Sequence, residues 1–168
     1  MKTRRVDETL FNFKYLPDYA DYILNKQLEE FVTVGIRFCR ELDLPMLRPL
    51  AKMPEKELVK LSLESNRQIL TALKEGRIAE QIEENLNNWV TNKLEIIDRF
   101  DVEAEDLTLA YHIRRKLFSY FLYGYTQNVS VQHLIFNEVD VYTSMEELIS
   151  LKTYLEIQRI KTKDDATT

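Results

Sequence analysis

The stretch "AEDLTLAYHIRRKLFSYFLYGYT", residues 104–126, decides the fold class. Its apolar residues Leu107, Ala110, Ile113, Leu117, Phe118, Phe121, Leu122 and Tyr125 recur three and four positions apart and spread around most of a helix. A helix that is apolar nearly all round lies at the centre of a domain, so the rest of the chain must surround it. The patch "LFSYFLYGY" (117–125) falls well short of the ~20 residues that cross a bilayer, so no membrane span is expected.

The flanking sequence supplies those neighbours as helices. Three glycines and four prolines in 168 residues leave too few turn formers for a sandwich or barrel, which predicts an all-α fold of about five to seven helices. Apolar positions Tyr22, Ile23, Phe31, Val34, Phe38 and Leu42 predict one or two helices over 18–42, ended by "DLP". Pro45, Pro49 and Pro54 allow only short helical turns between 42 and 54. A helix over 55–74 follows, its first turn acidic through Glu55 and Glu57, with Leu58, Leu61, Ile69, Ala72 and Leu73 facing inward. Gly76 separates it from a helix over 77–99 whose inward face is Ile78, Ile82, Leu86, Trp89, Val90, Leu94 and Ile97. "TQNVS" (126–130) forms the turn into a last helix over 131–161, roughly 45 Å long at 1.5 Å per residue. A compact domain of this size is roughly 40 Å across, so the helix is expected to cross it and leave it. The organisation read from the chain is an N-terminal arm (1–18), one helical domain (19–160) and a disordered tail (161–168).

Composition narrows the chemistry. A net charge of −5 gives no phosphate-neutralising footprint, so no nucleic-acid partner is expected. The single cysteine, Cys39, excludes an intrachain disulfide framework and a multi-cysteine zinc site, and fits a reducing, cytoplasmic setting. Cys39 reads as a buried, inert thiol despite Arg37 and Arg40 nearby. No glycine-rich phosphate loop, H-E-x-x-H or G-x-S-x-G occurs, and neither His112 nor His133 follows a Glu by three positions as a di-iron bundle needs. Sequence-adjacent pairs such as Glu83-Glu84 and Glu146-Glu147 point about 100° apart on a helix and read, like Arg114-Arg115-Lys116, as solvated faces. No catalytic residue and no metal ligand is assigned. His112, beside Tyr111, Phe118 and Phe121, is the candidate ligand region. There an imidazole can ligate haem, or the rings can line a pocket for a small apolar molecule; a satisfied polar histidine and core packing are the plainer readings.

The last helix carries the functional signal. Leu134, Val141, Leu148 and Leu155 are spaced by seven, with Ile135, Tyr142 and Ile149 as a second row. Asn137, Ser144 and Gln158 interrupt the d-like positions, where Leu151 fits. The first half is expected to pack on the domain, and the second half to pair with another copy or continue into a downstream module. Val141, Met145, Leu148, Leu151 and Leu155 are the candidate dimer seam.

"EDLTLAYHIRRKLFSYFLYGYTQ" followed by "VQHLIFNEVDVYTSMEELISLKTYLEIQ" resembles the last two helices of a known family. These are the non-haem globin-like N-terminal sensor domains of stressosome regulators and of some bacterial histidine kinases. The likeness covers about 105–160, includes the element Val139-Asp140, and extends to earlier helices only by count and order. It implies a globin-like homodimer without a cofactor, whose exiting helices couple a stimulus to an output module or partner protein. That is a signalling input domain with no enzymatic activity; the alternative is a haem or small apolar ligand sensor.

Overall fold

A computed structural model describes residues 5–93 and 97–165, the last three of these by their backbone only. The chain is all-α, with α1 (Leu16–Lys26), α2 (Leu28–Glu41), α3 (Glu55–Lys74), α4 (Ile78–Val90), α5 (Ala104–Tyr125) and α6 (Val129–Asp165). Short 3-10 segments, Glu8–Phe11 and Pro45–Leu50, precede α1 and follow α2.

The predicted 18–42 stretch is two helices. On one unbroken helix Ile23 and Phe31 would point about 80° apart. A single non-helical residue, Gln27 (φ −133°, ψ 3°), bends the chain between them, and both side chains enter the core. The bend keeps its backbone bonded, because Gln27 N–H donates to Ile23 and Phe31 N–H donates to the Gln27 carbonyl. The prolines confine 45–50 to a 3-10 turn, as expected. In α3, Leu58, Leu70, Ala72 and Leu73 are buried, but Leu61, expected inside, is 48% exposed. Gly76 turns the chain with φ +69°, a conformation that disfavours any Cβ.

The predicted 77–99 helix stops at Val90. Asn92 takes a left-handed conformation (φ 56°) and ends it. The Asn92 amide donates to Asp98, its carbonyl accepts from the Arg99 N–H, and the Trp89 indole donates to the Arg99 carbonyl, folding the chain back. Ile97 packs with Trp89 in that return, while Leu94 lies outside the described residues.

α5 is the central helix that its sequence predicts, packing against α6, α2 and α1. Its N-terminus is closed by a reciprocal capping box between Glu103 and Asp106. Gly35 lets α2 approach α5 closely; a Cβ there would meet a Leu117 methyl at 3.1 Å. The main core joins Leu16, Tyr19, Ile23, Phe31, Leu70, Ile82, Phe118 and Tyr142, with the Tyr19 hydroxyl donating to the Phe118 carbonyl.

α6 differs from expectation in its second half. From Ile135 to Ile157 one face is buried: Ile135, Val139 and Tyr142 in the main core, then Thr153 and Ile157 beside Trp89 and Val102. The helix therefore stays on the domain through Ile157. It also continues to Asp165, so 161–165 is helical where the disordered tail was expected to begin, and 166–168 lie outside the described residues. At the other end the expected arm is shorter than 1–18, since α1 starts at Leu16, and its Val6 and Phe11 are buried against the body. Residues 1–4 of that arm lie outside the described residues.

Candidate functional site

Three features stand out: the outer face of α6, an apolar cavity between α2, α3 and α5, and a polar seam between α5 and α6. The first is the outer face of α6. Because the buried residues lie near one helical azimuth, those spaced by seven from Leu134 lie roughly opposite it. Leu134, Val141, Leu148 and Leu155 are accordingly 41%, 44%, 46% and 56% exposed, an apolar row with Asn137, Ser144 and Lys152 between its members. Over 21 residues it runs about 32 Å. Of the five predicted seam residues, Val141, Leu148 and Leu155 belong to it. Met145 and Leu151 do not; they lean into the core and are half-buried against it, because their azimuths fall toward the flanks of the helix.

The second feature is an apolar cavity of about 220 Å³ between α2, α3 and α5. Its apolar wall includes Phe31, Ile36, Leu70, Ile113, Leu117 and Phe118, and Ser62, Asn66, Cys39 and Arg114 also line it. Burial pushes the Cys39 thiol up to about 11, outweighing the nearby Arg114 charge, so it stays a protonated, unreactive group.

The predicted ligand residues are not gathered at this cavity. Phe118 lines it. Tyr111 faces a second cavity of about 210 Å³ beside Trp89 and Ser150. Phe121 packs on Phe31, with ring centroids 5.5 Å apart. His112 is exposed on the outside of α5, so neither a haem-ligating nor a core role follows from its position.

Sequence reading missed the polar seam between α5 and α6. Arg114 and Glu146, expected on solvated faces, form an ion pair whose side chains are 26% and 8% exposed. Arg114 also donates to the Tyr142 hydroxyl at 3.1 Å, and its guanidinium lies 5.4 Å from the Tyr111 ring centroid. Tyr111 and Ser150 share a hydrogen bond of 2.8 Å. The next residue, Arg115, reaches Asp140 and Glu147, each at 3.2 Å, and the Ser144 hydroxyl at 2.9 Å. Burial opposes the charge on Arg114, but Glu146, Tyr142 and Tyr111 outweigh it and hold the guanidinium more firmly protonated than usual. Burial likewise raises the Tyr111 and Tyr142 hydroxyls. The available signal was an Arg doublet and a Glu doublet placed on either side of the 126–130 turn, where antiparallel helices bring them level. Arg114 lines both cavities and is tied to α6, so it joins the interior of the helix bundle to the helix that carries the apolar row.

Among the described residues no cluster of His, Cys, Asp and Glu is placed to hold a metal ion, and no helix is long and apolar enough to cross a membrane. Compared with protein families, curated proteins and solved structures, the chain matches none.

Proposed function

We propose that this chain is a non-enzymatic signalling input or protein-interaction domain that works as a homodimer through the outer face of α6, as the globin-like sensor domains it resembles do. The observation that carries the reading is the aligned exposure of Leu134, Val141, Leu148 and Leu155 on one face of α6. The buried residues of α6 lie on the opposite face, which leaves the row 41–56% exposed. Four large side chains in line leave an apolar strip, and strips of this kind mark association surfaces. A stimulus or an output partner would act by changing how two α6 helices meet. The test is mass by light scattering at micromolar concentration. A dimer that becomes a monomer in Leu148→Glu/Leu155→Glu, with helical content unchanged, supports the reading; a monomeric parent chain refutes it.

A second reading has its own observation, the 220 Å³ cavity. It fits a small molecule with an apolar body and one polar end, met by Asn66 or Arg114, in place of haem held by His112. Native mass spectrometry of purified protein tests it. A bound small molecule that is lost when Ala110→Leu fills the cavity supports this reading, and an empty protein with no uptake of apolar probes counts against it.

A further inference from the structure

α1 begins without a cap of its own. Its N-cap residue, Tyr15, makes no side-chain hydrogen bond to the first turn, and Pro17 brings no N–H. The missing acceptor comes from another helix: Glu138 of α6 accepts from the backbone N–H groups of Lys14 (2.9 Å), Tyr15 (2.8 Å) and Leu16 (2.7 Å). A carboxylate there also meets the positive end of the α1 dipole. The segment leading into it, residues 5–15, crosses the body as a strap. Its far end is tied to α4, where Glu83 accepts from the Val6 N–H. Between the two ties Phe11 is buried, and the strap forms one wall of an open cleft of about 340 Å³ whose other side is Leu73, Gly76 and Ile78. The backbone of these eleven residues is thus tied at both ends to glutamates on two different helices, while Val6 and Phe11 anchor it in the core.

Glu138 stands four residues after Leu134 and three before Val141, so it borders the exposed apolar row on the side where the strap arrives. Whatever covers the N-terminal half of the row also shields this carboxylate and its three donors from water. Hydrogen bonds to a charged acceptor strengthen as the surroundings lose water.

We propose that Glu138 is a latch that couples the N-terminal strap to the docking face of α6: a second copy seated on the row holds the strap closed, and an open strap weakens the dimer. The latch rests on the reading of α6 as a dimer face. Linkage makes the effect reciprocal, so both directions can be measured.

The experiment is backbone hydrogen exchange combined with a dimer dissociation constant, on the full chain. In the parent dimer the amides of Lys14, Tyr15 and Leu16 are protected. In Glu138→Gln they exchange about tenfold faster, the scale of one charged hydrogen bond, and the dimer dissociates several-fold more readily. In monomeric Leu148→Glu/Leu155→Glu, with Glu138 intact, the same three amides also exchange faster while Ile23 in the same helix does not. This second arm stands alone if Glu138→Gln fails to fold. A parent dimer whose Glu138→Gln variant opens the strap with an unchanged dissociation constant, or whose monomeric variant protects the strap equally well, overturns the latch and leaves the dimer reading intact. A parent chain that is monomeric throughout overturns both.

Discussion

Breaking the Arg114–Glu146 pair should destabilise the protein far more than removing it. Glu146→Ala leaves a guanidinium between α5 and α6 without its carboxylate, flanked by the Tyr111 and Tyr142 rings. Loss of one partner of a fully buried pair costs about 3–5 kcal/mol. Glu146 is 8% exposed but Arg114 is 26% exposed, so water recovers part of that cost and about 2–3 kcal/mol is expected. For a domain of this size each kcal/mol lowers the midpoint by about 2–4 °C, which gives a fall of roughly 4–12 °C. Replacing both charges, as in Arg114→Met/Glu146→Leu, removes the uncompensated charge and should cost less than either single change, a coupling of about 1.5 kcal/mol or more. Urea unfolding followed by circular dichroism at pH 7 measures Glu146→Ala, the single changes Arg114→Met and Glu146→Leu and the double variant, and the slope m should stay constant. The Arg114 contribution carries no pH dependence in the working range: its folded pKa is raised, so its stabilisation is complete below the ordinary arginine pKa. Additive single-variant effects, or a Glu146→Ala cost below about 0.5 kcal/mol, would refute the seam as a coupled unit.

Ile157→Ala should cost about 2–5 kcal/mol, because Ile157 is 1% exposed beside Trp89. A change without effect on the unfolding midpoint would show that this end of α6 is not packed on the domain. Burial raises the Tyr19, Tyr111 and Tyr142 hydroxyls, so their stabilisation is present below the ordinary tyrosine pKa near 10 and is lost as pH rises above it. Ultraviolet titration should show these three ionising only as the protein unfolds; their ionisation in the folded protein at the ordinary tyrosine value contradicts the packing. Cys39, raised from 9.0 to about 11, carries about 100-fold less thiolate at pH 8 than an unperturbed thiol, so its alkylation should be slower in the native protein by a similar factor. Equal rates with and without urea would place the thiol in water. His112→Ala should leave occupancy of the α2/α3/α5 cavity unchanged, as native mass spectrometry would report; loss of a bound molecule would return His112 to the site.

Periodicity and turn chemistry determined the fold class. The near-complete apolar circumference of 104–126 required a central helix, and the proline run at 45–54 and Gly76 placed the interruptions where the backbone demands them. Sequence also marked the outward row of α6, because spacing by seven keeps four leucine-like residues on one face whatever lies behind them. What it left undecided was the partner of each polar group. Glu146 and Arg114 have the composition of a solvated surface, and only the level pairing of antiparallel α5 and α6 turns them into a buried pair. Asn92 ended α4 early because a left-handed residue bonded to Asp98 and Arg99 outweighs an apolar pattern that continues past it. Glu138 caps a helix more than a hundred residues away, and His112 faces water from a helix whose other sides are buried. Spacing along one helix fixes which residues share a face; the docking of helices decides which face meets water, and with it every contact between distant charges.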